Sequence, residues 1–205
     1  MTQTTIKPAI DRAAIDELSR GNSDPDWVKS ARLKAVELYE SLPLPTERSE
    51  GWRRTSLAGI DLTPPSPSPS RATVTHGNKI ERASGDLVSD EITEATNRHM
   101  GDWMAIVNAG RSTGKFSALA QAVWQGGRYL DIGPNVTLSE PIVVEWDDGP
   151  YPRLVVYVAP NARASIVERH TAVDRFRSGV VDIYLDEGAH LTYVHVQNAP
   201  RDAVV

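Results

Sequence analysis

Three stretches of the C-terminal half decide the fold: YLDIGPNVTLSE at 129–140, LVVYVAPNARAS at 154–165 and VDIYLDEGAHLT at 181–192. They superimpose without gaps when the second and third are entered at Val155 and Asp182, which sets the turn residues Asn135, Asn161 and Gly188 at offsets of 26 and 27. Such a recurrence predicts a chain that stacks one structural coil on the next. Ile132, Val158 and Leu185 align before the corner. Val136, Ala162 and Ala189, followed by Leu138, Ala164 and Leu191, align after it. Like side chains then sit above one another. Asn and Gly both tolerate left-handed backbone, so a tight corner at these three places has a physical cause. The coil is longer than the about 18 residues of a left-handed hexapeptide prism. A jelly roll or cupin built from antiparallel hairpins is the rival geometry.

Further strands are expected at 129–132, 136–138, 142–146, 154–158, 162–167, 180–185 and 190–196, with no helices between them, which opposes a doubly wound sheet. Upstream, RATVTHG, DLVSDEI and WMAIVNAG read as strands and turns, Glu91–Met100 as a helix, and FSALAQAVW at 116–124 as a helix broken by Gly126 and Gly127. The start of the chain has a different texture. Residues 11–42 read as helical. Asp24 is placed to cap, Pro25 takes the first helical position, and Trp27, Ala31, Ala35, Leu38 and Leu42 form one stripe. Pro43 and Pro45 end it. A short irregular element is expected from Glu50 to Leu57. The tract TPPSPSPS then reads as an extended linker, or as a segment for a proline-binding module. The expected organisation is a helical region at 1–62, a linker at 63–70 and a mainly β domain, read as a β-helix, at 71–205.

The chain has 205 residues, a formal charge of −5 and no cysteine. The acidic balance gives no electrostatic ground for binding a nucleic-acid backbone or an anionic membrane. Without cysteine there is no disulfide, thiolate ligand or thiol chemistry in this chain. No apolar run approaches a membrane span, and MTQTTIKPAIDR lacks the apolar core of a secretory signal, so a cytoplasmic location is expected.

Candidate chemistry is sparse. GRSTGKF resembles a phosphate loop but has three residues before its Gly-Lys pair instead of four, and Phe116 follows Lys115 where Ser or Thr is required. It reads as a basic turn. Glu168 and His170 share one face of a strand, whereas His190 and His195 fall on opposite faces, and rim histidines are the simpler reading. Asp147 and Asp148 lack the spacing of a calcium loop. Asp182 and Asp186 could serve as an acid/base pair in a carbohydrate-active groove, without a recognisable sugar platform. No catalytic, cofactor or metal ligand is assigned. Among the five tryptophans, Trp27 and Trp52, with Arg53, are the residues expected to fasten the N-terminal region to another surface.

DPDWVKSARLKAVELYESLPLPTERSEGWRRTSL resembles the N-terminal signature of the SufB/SufD family of iron–sulfur cluster assembly proteins in its SufD form. The resemblance rests on Trp27, Arg32, Ala35, the run Leu42-Pro43-Leu44-Pro45, Glu50, Trp52, Arg53 and Thr55. FSALAQAVWQGGRYLDIGPNVTLSEPIVV and DIYLDEGAHLTYVHVQNAP resemble that family's stack entry and a later coil. The resemblance implies a right-handed parallel β-helix behind a helical region, and a scaffold role beside a SufB-like subunit and a SufC-like ATPase. It also implies that any iron–sulfur cluster belongs to the full complex, with no cofactor in this stretch. Family members are about twice as long, so a truncated or proteolysed chain, or a naturally short homologue, is expected, with its last rung, Val194–Val205, in contact with a symmetry mate, a second copy or a remainder of the chain. A carbohydrate-active β-helix enzyme and a cupin-like binding module are the alternatives from other classes.

Overall fold

The computed structural model describes residues 10–53, 67–77, 79–80, 87–98, 114–170 and 176–198. Thr55, Leu57, the head of the proline tract, WMAIVNAG with Trp103, most of GRSTGKF and the last seven residues, 199–205, lie outside them.

The stacking pattern appears directly in the pairing. After β1 (Ala72–His76), β2 (Lys79–Ile80) and β3 (Leu87–Glu91), six strands follow: β4 (Arg128–Ile132), β5 (Ile142–Trp146), β6 (Arg153–Val158), β7 (Arg163–His170), β8 (Val180–Leu185) and β9 (His190–Gln197). Consecutive strands from β4 onward alternate between two sheets, ordered β2-β1-β5-β7-β9 and β3-β4-β6-β8. Each strand pairs in parallel with the strand two later, while β3 on β4 and β1 on β5 begin the sheets antiparallel. Parallel pairs through the stack oppose the cupin rival, whose hairpins are antiparallel.

The register is the one the repeat predicts. Ile132 lies beside Val158 and Val158 beside Leu185, while Ala164 lies beside Leu191. Val136–Leu138 does not form a strand; it supplies one parallel bridge from Thr137 to Arg163. At the corner, Asn135, Asn161 and Gly188 have φ of 60°, 59° and 69°. Asn161 Nδ2 donates to Asn135 Oδ1 at 3.3 Å, so the stacked corners bond to one another.

Between the sheets lies a continuous apolar core that includes Leu130, Val156, Ile142, Val144, Trp146 and Ile166. The outer face of β4 and β6 is buried as well: Tyr129 and Val155 pack with Val28, Ile92, Ala95 and Trp124. Burial on both faces explains the unbroken apolar run of β6, Leu154–Val158. Among the described residues the covering layer consists of α1 (Arg12–Gly21), α2 (Asp26–Ser41), α3 (Ile92–Arg98) and α4 (Lys115–Val123). The architecture is therefore mixed α/β, with more helix around the strands than a mainly β expectation implies.

Two local expectations are corrected. The helical stretch 11–42 is two helices, because Ser23 takes a φ of 55° between them. Asp11 caps α1 through Ala14 N, whereas α2 has no side-chain cap. Asp24 is drawn away from the cap by Arg32, whose Nε donates to Asp24 Oδ2 at 2.7 Å, with both side chains almost wholly buried. The buried stripe of α2 is accordingly Val28, Arg32, Ala35, Val36 and Tyr39, one position round from the apolar count except at Ala35. Arg32 Nη1 also donates to the carbonyls of Ala122 and Trp124 at 3.1 and 2.9 Å, and its guanidinium lies 4.0 Å from the Trp124 ring centre. One arginine thus joins α2 to the end of α4. An apolar stripe count misses it because its partners are a distant carboxylate and a helix end.

Removing one member of such a buried pair strands the other, so Asp24→Ala is expected to cost about 3–5 kcal/mol in urea unfolding. Adding Arg32→Met should then cost much less than it does in the parent, and strict additivity would count against the pairing. At the corner, Gly188→Ala should cost roughly 1–2 kcal/mol. Gly188→Asn should recover most of that loss because Asn already fills the two earlier corners, and equal unfolding midpoints for the two variants would contradict the stacked-corner account.

Candidate functional site

Most surface groups singled out by sequence are committed to structure. Lys115, the lysine of the failed phosphate loop, donates through Nζ to the carbonyls of Tyr39 and Leu42 at 2.7 and 2.6 Å, capping the C-terminal end of α2. Arg153 Nη2 holds Asp182 at 2.8 Å, whereas Asp186 accepts from Tyr157 Oη at 3.0 Å and from Glu187 N at 2.7 Å. The two carboxylates face separate partners. That use removes the pairing on which the carbohydrate-active reading depended. Asp148 accepts from Arg71 N at 3.3 Å and tethers the approach to β1.

The aromatic anchors occupy two places. Trp27 packs at the edge of the cluster formed by Val28, Ile92, Trp124, Tyr129 and Val155, between the N-terminal helices and the outer face of the stack. Trp52, in the 3-10 turn Glu50–Trp52, lies 5.6 Å from Phe116, which continues through Phe176 to Tyr151. Arg53 beside it is exposed.

A chemically distinct cluster lies inside the far end of the stack. On β7, Ile166, Glu168 and His170 share the inward face, and the register sets Ile166 beside Tyr193 and Glu168 beside His195. Glu168 and His170 are 2% and 4% exposed, so apolar residues give way to ionisable ones within the core. Burying a carboxylate requires partners. Glu168 has three: Trp146 Nε1 donates to Oε1 at 2.5 Å, His170 Nε2 approaches Oε1 at 3.1 Å, and Tyr193 Oη donates to Oε2. Arg177 Nη1 lies 3.1 Å from His170 Nδ1 and its Nε donates to Gly149 O at 3.2 Å. Arginine can only donate, which assigns Nδ1 as the acceptor and leaves the proton on Nε2, aimed at Glu168.

Burial pushes the Glu168 carboxyl up, but the hydrogen bonds from His170, Tyr193 and Trp146 outweigh it and hold the group below its ordinary value. Burial, then the Glu168 hydrogen bond and charge, push the Tyr193 phenol well above its ordinary value. Partial burial pulls His195 down, with the charge of Glu168 opposing that shift. The His170 and His195 rings meet edge to face, 4.9 Å between centres. His190, on the opposite face of β9, is exposed, as its parity requires.

The sequence reading paired Glu168 with His170 but assigned no metal ligand. It missed His195, although the same 27-residue offset that aligns Asn161 with Gly188 also aligns Glu168 with His195. One ligand atom from each of Glu168, His170 and His195 falls within 4.8 Å of the others.

Among the described residues the fold is a stack of parallel strand pairs beneath a helical layer, with a cluster of ionisable side chains at one end of its interior. Residues 143–205 match the family described as SUF system FeS cluster assembly, SufBD core domain. A SufBD family iron–sulfur cluster assembly protein of Staphylococcus epidermidis is 25% identical over 90% of this chain and 50% of its own length. A Staphylococcus haemolyticus relative of the same description is 24% identical with the same coverages, and the iron–sulfur cluster assembly protein SufB of Bacillus subtilis is 22% identical over 92% of this chain and 50% of its own. The similarity to SufB/SufD family proteins thus extends over most of the chain, with the core-domain match at its C-terminal part. It spans about half the length of these curated relatives.

Tyr193→Phe removes one donor to a buried carboxylate and leaves the ring in place. It is expected to cost roughly 1.5–3 kcal/mol in chemical unfolding, the range for hydrogen bonds to charged groups. A loss near zero would mean that Glu168 does not depend on that bond.

Proposed function

We propose that this chain is a SufD-like scaffold component of a SUF iron–sulfur cluster assembly complex, acting through protein–protein contacts without catalysis of its own. The observation that carries the reading is the position of the core-domain match: it opens within β5 and spans β6–β9, the parallel part of the stack. In this reading the alternating strands are the opening rungs of a right-handed parallel β-helix, and the helical layer held by Arg32, Trp27 and Trp52 braces its first face. The commitment of Asp182, Asp186 and Lys115 to internal contacts supports a framework role. The N-terminal signature around Trp27, Arg32 and Trp52-Arg53 favours the SufD form.

The expected partners are a SufB-like subunit and a SufC-like ATPase in the cytoplasm, with the iron–sulfur cluster as cargo of the assembled complex. Co-expression of the gene product containing this chain with both partners, followed by affinity purification, tests the reading. A SufD-like subunit should co-elute beside SufB and support cluster reconstitution by the complex. If the tagged protein instead replaces SufB in the complex, the SufD assignment fails. If it joins neither partner, the scaffold reading fails as well.

A further inference from the structure

We propose that Glu168, His170 and His195 form a binding site for one divalent transition-metal ion of the zinc or iron(II) class. The donor set is the first reason. Two imidazoles and one carboxylate suit zinc, iron(II) and their neighbours better than calcium or magnesium, which favour all-oxygen shells. This inference rests on the geometry of the three residues and stands apart from the scaffold reading.

Placement is the second reason. Glu168 and His170 are buried and fixed, with Trp146 and Tyr193 orienting the carboxylate. Such outer hydrogen bonds are the usual means of aiming a metal ligand. His195 is exposed on β9, which has a partner strand on one side only among the described residues. The site therefore has two buried ligands and one exposed ligand, His195. Ligand atoms around a tetrahedral ion stand roughly 3.4 Å apart, from bonds of about 2.1 Å. His170 Nε2 and Glu168 Oε1 are already 3.1 Å apart, so the remaining closure from 4.8 Å falls to the His195 side chain.

Loading has a defined proton balance. The ion takes the place now held by the Nε2 proton between His170 and Glu168. That proton moves to His170 Nδ1, and Arg177 Nη1, which now donates there, withdraws while Arg177 Nε keeps its bond to Gly149 O. No electron is transferred, and the carboxylate of Glu168 supplies the negative charge facing the ion.

Chelator-treated protein is titrated with Co2+, whose visible bands report coordination, and with Zn2+ by calorimetry. The parent should take up one equivalent of each with nitrogen–oxygen coordination. His195→Ala, at an exposed position, should keep its melting temperature and weaken binding at least about 100-fold, a larger loss than the 10–100-fold typical of outer-shell changes. His190→Ala, on the opposite face, should bind as the parent does. Zn2+ should also convert His170 from its Nε2–H to its Nδ1–H form in long-range 15N spectra, a change that a structural histidine would not show. Failure of the parent to bind either ion at micromolar concentrations, or parent-like binding by His195→Ala, overturns the site.

Discussion

Everything described depends on one constraint: from β4 onward each strand lies in parallel register with the strand two later, at an offset of 26 or 27 residues except for β5 on β7, where it is 24. Parallel register holds a side chain above the one that precedes it by a whole repeat. It is why apolar residues fall into columns, why the left-handed corners at Asn135, Asn161 and Gly188 superimpose, and why Glu168 meets His195. A slip of one residue would turn every column inside out. The corners resist that slip, because only Asn or Gly accepts their backbone without strain.

The second structural dependence is the seal between stack and helices. β4 and β6 present Tyr129 and Val155 outward, a face that water would make costly. The helices cover it, and the register of that cover is set by Arg32. Its guanidinium meets the Asp24 carboxylate, the carbonyl oxygens of Ala122 and Trp124, and the Trp124 ring. Arg153 adds a second guanidinium over the same ring at 5.3 Å, and the Nη2 of that group holds Asp182. The indole is thus shared by the helical layer and the strand beneath it. Lys115 closes the same joint further along by binding the free carbonyls of α2.

What could be read from the amino-acid string was whatever repeats or obeys a local rule. The corners, the aligned columns, the strands from Tyr129 onward and the break at Gly126-Gly127 all have short-range causes. The misreadings share a different cause. Asp24 had the chemistry and position of a cap, yet a buried arginine eight residues away competed for it successfully. Lys115 sat in a suggestive motif, but its use was decided by the end of a helix more than seventy residues earlier. The Glu168 cluster lies between these cases. Its carboxylate and first histidine were visible as neighbours on one face, and the second histidine was one repeat away. Parity along a single strand separated His190 from His195 correctly but could not bring in β7. Trp146, Tyr193 and Arg177 join the cluster only through packing in three dimensions.

Stacking also grades the molecule along its length. Among the described residues, β6 and β7 are flanked by a strand on each side, whereas β8 and β9 are flanked on one. Exposure follows the same gradient: Val156 and Val158 are wholly buried, and their successors Ile183 and Leu185 are 39% and 47% exposed. The inner cluster straddles that gradient: Glu168 and His170 lie on a strand whose inward side chains are buried, and His195 lies on one whose side chains are largely exposed.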